Sequence, residues 1–145
     1  MESLGIYYAN ENHLSIILVE YLKRKTKEKC EVITVFEKGI QKEINKVIKE
    51  SKVKSEFLKG IDFSEKKEIE EINVEENKET IIIFEGSSIF INKNLQIAKT
   101  MLAKENTENV KLIKCYKIGE QNKEIVKDLK ENSKIVSTTG EHKIS

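Results

Sequence analysis

The sequence contains no proline. Rigid polyproline linkers, cis-proline turns and proline-marked domain boundaries are therefore excluded from its 145 residues. Arginine is nearly absent as well: Arg24 stands alone among 26 basic residues, and lysine supplies the rest. Bidentate guanidinium contacts to phosphate or to guanine are thereby almost excluded. With a formal net charge of +1, no overall field steers the chain toward a polyanion. No helix-turn-helix pattern stands out and no basic stripe interleaves with aromatics, so direct contact with nucleic acid is not expected. Long apolar runs are missing too, and none approaches the roughly 20 residues that span a bilayer, so no membrane association is expected. The opening Met1-Glu-Ser-Leu-Gly5 lacks a basic region followed by an apolar one, and no signal peptide is expected. Cys30 and Cys115 are the only cysteines, and they read as reduced thiols of a cytoplasmic protein. Neither Cys-x-x-Cys nor His-x₃₋₅-His spacing occurs, so neither a metal nor a cofactor is expected.

What is present is a heavily charged surface around a foldable core: 35% of residues are charged and 38% apolar. The length suits a single domain over 1–145. The most telling stretch is Thr80-Ile-Ile-Ile-Phe-Glu-Gly-Ser-Ser88. Four bulky apolar residues running into a small polar loop read as a strand buried on both faces of a parallel sheet. In open α/β folds, ligands bind in such strand-end loops.

Strand and helix patterns alternate about five times. Leu4–Ala9 reads as a first strand, with Asn10 or Asn12 capping a helix whose face is Leu14, Ile17, Leu18, Tyr21 and Leu22. Lys23–Lys29 forms a basic turn suited to the negative end of that helix. Cys30–Phe36 reads as a strand, followed by a helix carrying Ile40, Ile44, Val47 and Ile48. Residues 51–77 read as an irregular helical connection in which Ser64 caps a short acidic helix bearing Ile69 and Ile72. Asn92 or Asn94 is expected to cap a helix with Leu95, Ala98, Met101 and Leu102. Val110–Tyr116 alternates partly and reads as a strand nearer an edge. A helix with Ile125, Val126 and Leu129 follows, then a short strand at Lys134–Thr138 and a polar tail over 140–145. The expected fold class is α/β: a three-layer sandwich with a mainly parallel sheet of about five strands and helices on both faces.

The loops that follow the strands gather at one edge of such a sheet. They bring together Asn10, Glu37, Glu85, Ser87, Ser88 and Glu120 as candidate ligand-binding residues, with Asn12, Gln121, Thr138 and Thr139 on the same rim. Glu85-Gly-Ser-Ser88 lacks the second glycine of an esterase elbow and the Gly-Lys-Ser/Thr end of a phosphate-binding loop. Asn10-Glu-Asn12 occupies the place of a dinucleotide-binding glycine fingerprint. The plain reading of the loop is a tight turn whose serine caps the next element. No catalytic residue is assigned.

Ile6–Leu22 (IYYANENHLSIILVEYL) with Cys30–Thr34 (CEVIT), together with Ile113–Ile118 (IKCYKI), Glu124–Lys130 (EIVKDLK) and Ile135-Val136, resembles the MEDS domain, the sensory domain of DcmR-type regulators. Asn132-Ser133 stands where that family often has His-Pro. The resemblance implies a RecA-like α/β core used for sensing or protein contacts, with no established catalytic residues. The expectation is a cytoplasmic regulatory or sensory domain acting through a small-molecule ligand, a protein partner or a second copy of the chain. An interaction surface would draw on Tyr8, Tyr21, Ile89 and Phe90. The alternative is a small α/β enzyme or nucleotide binder using Ser87, Ser88, Glu37, Glu85 and His13. A structural subunit with an isologous interface is a third reading.

Overall fold

The computed structural model describes residues 1–25 and 29–144. In chain order the elements are β1 (Glu2–Tyr8), α1 (Glu11–Lys23), β2 (Cys30–Phe36), α2 (Gln41–Glu50), α3 (Glu56–Lys59), β3 (Glu79–Glu85), α4 (Ser88–Leu102), β4 (Val110–Lys117), α5 (Asn122–Glu131), β5 (Lys134–Ser137) and β6 (Gly140–Lys143). The six strands of the described residues form one sheet in the order β2-β3-β4-β1-β5-β6. Every pairing is parallel except the antiparallel β5–β6 hairpin. The fold is α/β, with one strand more than the alternation of patterns predicts.

β3 lies inside the sheet, flanked by β2 and β4, and all of Thr80–Glu85 is buried. Its side chains divide by parity, as strand geometry requires. Ile81 and Ile83 join a core cluster with Leu4, Ile6 and Cys115, which α1 and α2 fill with Leu14, Leu18, Ile44 and Val47. Ile82 and Phe84 join a second cluster with Leu112 and Tyr116, which α4 fills with Ile91, Leu95 and Ala98.

Several local expectations change. β4 sits between β3 and β1 rather than at an edge. Its lysines misled the pattern because both find carboxylates on the sheet faces: Lys111 meets Glu79 and Glu141, and Lys114 meets Asp128. The stretch expected as a polar tail is β6. It is held because Glu141 accepts from Tyr21 Oη at 2.7 Å and Lys111 Nζ at 2.8 Å, with Lys134 Nζ at 3.3 Å. Of the basic turn expected over Lys23–Lys29, residues 26–28 lie outside the described residues.

The acidic helix expected after Ser64 does not form. Ser64 N donates to Asp62 Oδ1, Glu65 bridges Phe36, and Lys66 N donates to Phe36 O, so the chain follows the end of β2 instead. Phe63 is fully buried and meets Phe36 edge-on at 5.9 Å between ring centroids. Farther along, Ile69 is buried and its N–H reaches Asn94 Oδ1 at 2.8 Å. Asn94 is therefore not a cap: α4 begins earlier, with Ser87 Oγ accepting the Phe90 N–H at 3.2 Å, and Asn94 lies buried within the helix.

Candidate functional site

Loops following β1, β2, β3 and β4 enclose a cleft of about 330 Å³. Each contributes through a local rule. Asn10, in an extended conformation, caps α1 by accepting the His13 N–H at 2.9 Å, which places Glu11 in the first turn at the cleft wall. Tyr8, the last residue of β1, supplies a buried ring and its hydroxyl. β2 ends beside β3 with Glu37 N donating to Glu85 O at 2.9 Å, and both residues line the cleft.

Gly86 makes this approach feasible. Its φ is +145°, and a Cβ there would stand 2.7 Å from Glu37 Cβ and 2.8 Å from Phe90 Cδ1. Any other residue would push Glu37 away from α4. In place, Glu37 Oε1 accepts the Ser87 N–H at 3.0 Å. Gln121 closes the far side: its Nε2 donates to Gly86 O at 2.9 Å and its Oε1 accepts from Lys117 N at 2.8 Å. That pair of bonds locks the loop after β4 onto the loop after β3.

Glu85 is only 5% exposed. Burial pushes its carboxyl above the usual range; the Lys38 N–H, 3.4 Å from Oε1, pulls the other way, and the Glu37 charge adds to the rise. Burial likewise raises the Tyr8 hydroxyl, with the Glu85 charge as a further cause. Cys115, the register partner of Glu85 on β4, is fully buried and its thiol is pushed well up by burial and by Glu85. It behaves as a small apolar residue, not a nucleophile.

Of the six residues singled out from sequence, Glu37, Glu85, Ser87 and Glu120 line this cleft. Asn10 is spent on the α1 cap, and Ser88 lines a different hollow of about 260 Å³ between α4 and α5. Sequence reasoning missed Tyr8, Glu11, Lys38 and Lys117. Tyr8 carried a signal, an aromatic ring at the last position of a strand, while the others looked like ordinary surface charges. Thr138 and Thr139 lie in the β5–β6 turn, and Thr139 Oγ1 pairs with His142 Nε2 at 2.7 Å.

The pairing of Ser87 with His13 required by a nucleophilic reading does not form. Ser87 Oγ is engaged in the α4 cap, and His13 Nδ1 accepts the Ala9 N–H at 2.9 Å. The expected apolar interaction surface is also corrected: Tyr8, Tyr21 and Phe90 are buried in the core clusters, and only Ile89, 82% exposed, remains on the surface. Among the described residues no group of three or more His, Cys, Asp or Glu side chains could hold a metal ion, and no helix is long and apolar enough to cross a membrane. No family model, curated protein or solved structure matches the chain.

Proposed function

We propose that the chain is a regulatory or sensory α/β domain whose small-molecule ligand sits in the strand-end cleft. The observation that carries this reading is the convergence of Tyr8, Glu37, Glu85 and Ser87, from three separate strand ends, on one hollow of about 330 Å³. In open α/β sheets ligands favour the carboxyl ends of strands where successive connections leave for opposite faces. A three-layer arrangement would supply that geometry here. The helix after β1 packs in one core cluster and the helix after β3 in the other, so their loops diverge above the sheet.

Within this reading the likeness to MEDS sensory domains is a statement about role, with binding rather than turnover as the output. The engagement of Ser87 and His13 in capping and backbone contacts favours it over the enzyme alternative. Thiols at Cys30 and Cys115, the second fully buried, fit a reducing cytoplasmic setting.

A thermal-shift screen with nucleotides, amines, sugars and amino acids tests the proposal, followed by amide chemical-shift mapping of any hit. A true ligand raises the melting temperature by mass action and moves the Tyr8, Gly86, Ser87 and Gln121 signals. A hit that perturbs only other regions, or the absence of any hit, rejects the cleft as the site.

A further inference from the structure

We propose that the strand-end cleft takes a small organic cation, with an ammonium or guanidinium group seated among Glu85, Glu37 and Tyr8. The inference rests on the cleft being the ligand site and adds the chemistry it selects.

Two observations point to a cation independently. The first is unmet hydrogen-bonding capacity inside the cleft. Glu85 and Tyr8 are 5% and 7% exposed. Glu85 Oε1 accepts the Lys38 N–H, whereas Glu85 Oε2 and Tyr8 Oη have no hydrogen-bond partner among the described residues. Both atoms open onto the cleft from largely buried side chains, so an N–H-bearing cation seated there can donate to them without displacing a protein partner.

The second is the state of the helix N-termini that face the cleft. A helix N-terminus ordinarily attracts a phosphate or another anion. Here Glu37 already stands at the start of α4, where its Oε1 takes the N–H of the capping Ser87 at 3.0 Å, and the first turn of α1 carries Glu11. An incoming anion would meet carboxylates at both places. Of the two lysines that line the cleft, Lys117 is paired with Glu120 at 3.0 Å, leaving Lys38 against Glu11, Glu37 and Glu85. The local balance is acidic although the chain as a whole is nearly neutral.

No metal-holding group exists among the described residues, so the cation is an organic one. A hollow of about 330 Å³ has room for a compact amine. Planar guanidinium could bridge Glu37 and Glu85 through two N–H groups, whereas ammonium would act as a point charge.

The experiment is isothermal titration calorimetry of the whole chain with agmatine, putrescine and L-lysine, and with AMP, inorganic phosphate and glucose as the contrasting set. It is repeated on Glu85→Gln and on Glu37→Gln, whose amide oxygen still accepts the Ser87 N–H, with circular dichroism to verify folding. We expect at least one cation to bind, both variants to weaken it about tenfold or more, and the contrasting set to be silent. Equal binding of the cation to wild type and variants overturns the proposal. Binding of only an anion or a sugar, lost in Glu85→Gln, keeps the cleft as a ligand site and discards the cation. Silence from every compound discards both.

Discussion

Lys114 and Asp128 form an ion pair almost without water: their side chains are 5% and 3% exposed. Asp128 also accepts from Tyr7 Oη at 2.7 Å and from Asn132 Nδ2 at 2.6 Å. It is the only fully buried residue of α5, so a charge fastens this helix to the sheet alongside the partly buried Ile125. Removing Lys114 leaves Asp128 buried without its counter-charge, and removing Asp128 leaves the buried Lys114 only the more exposed Glu131 at 3.5 Å. Asp128→Ala and Lys114→Met should each destabilise by about 3–5 kcal/mol in urea denaturation. The double variant should cost clearly less than the two single costs combined. Strict additivity would mean that the pair does not couple α5 to β4.

The same network explains the glycine in β1. A Cβ on Gly5 would stand 2.6 Å from Asn132 Nδ2 and closer still to Tyr7 Oη. Neither atom can swing aside freely, because each is bonded to Asp128. Gly5→Ala should therefore cost about 1–3 kcal/mol, against the usual gain from replacing a strand glycine. A neutral or stabilising result by thermal denaturation would show that the network shifts without penalty.

Glu141 predicts the acid limb of stability. Burial alone would raise its carboxyl, but hydrogen bonds from Lys111 and Tyr21, the Lys111 charge and the Lys134 contact outweigh it and bring it from 4.5 to about 2. The folded-state value is depressed, so the stabilisation is fully present above the unfolded value and is lost as pH falls from 4.5 toward about 2. Allowing for partial exposure, it amounts to about 1–2 kcal/mol. Glu141→Gln should lower stability near neutrality by that amount and flatten the pH dependence across this window.

Glu85 works with the opposite sign. Its folded-state carboxyl is raised by burial, so its contribution is present below the unfolded value and lost as pH rises through the folded one. Glu85→Gln should make the ligand-free chain more stable near neutrality, with the difference vanishing below about pH 4. Urea melts at the two pH values check this, and a loss of stability at neutrality would contradict the assignment. Gain of stability with loss of binding is the signature of a residue kept for a ligand.

The sequence made the central strand and the amphipathic face of α1 legible, because continuous burial and helical spacing are written into residue order. β4 reads as nearer an edge in sequence because the partners of Lys111 and Lys114, Glu79, Glu141 and Asp128, are distant along the chain. β6 and the path after Ser64 were illegible for the same reason: their anchors, Tyr21, Lys111, Phe36 and Asn94, lie elsewhere in the chain. Four of six candidate site residues share the cleft because the ends of parallel strands must converge. Ser88 departs from Ser87 because one step along a helix turns a side chain by about 100°.

The β5–β6 hairpin also closes one of the two edges of the sheet, the other being β2. A sheet ending at β5 would offer an unpaired parallel edge to any neighbouring chain. β6 replaces it with a strand of four residues, Gly140–Lys143, whose Glu141, His142 and Lys143 put polar and charged side chains along the rim. Short, charged edges resist intermolecular strand pairing. Shortening the chain before Gly140 should expose that template, so such a truncation is expected to aggregate.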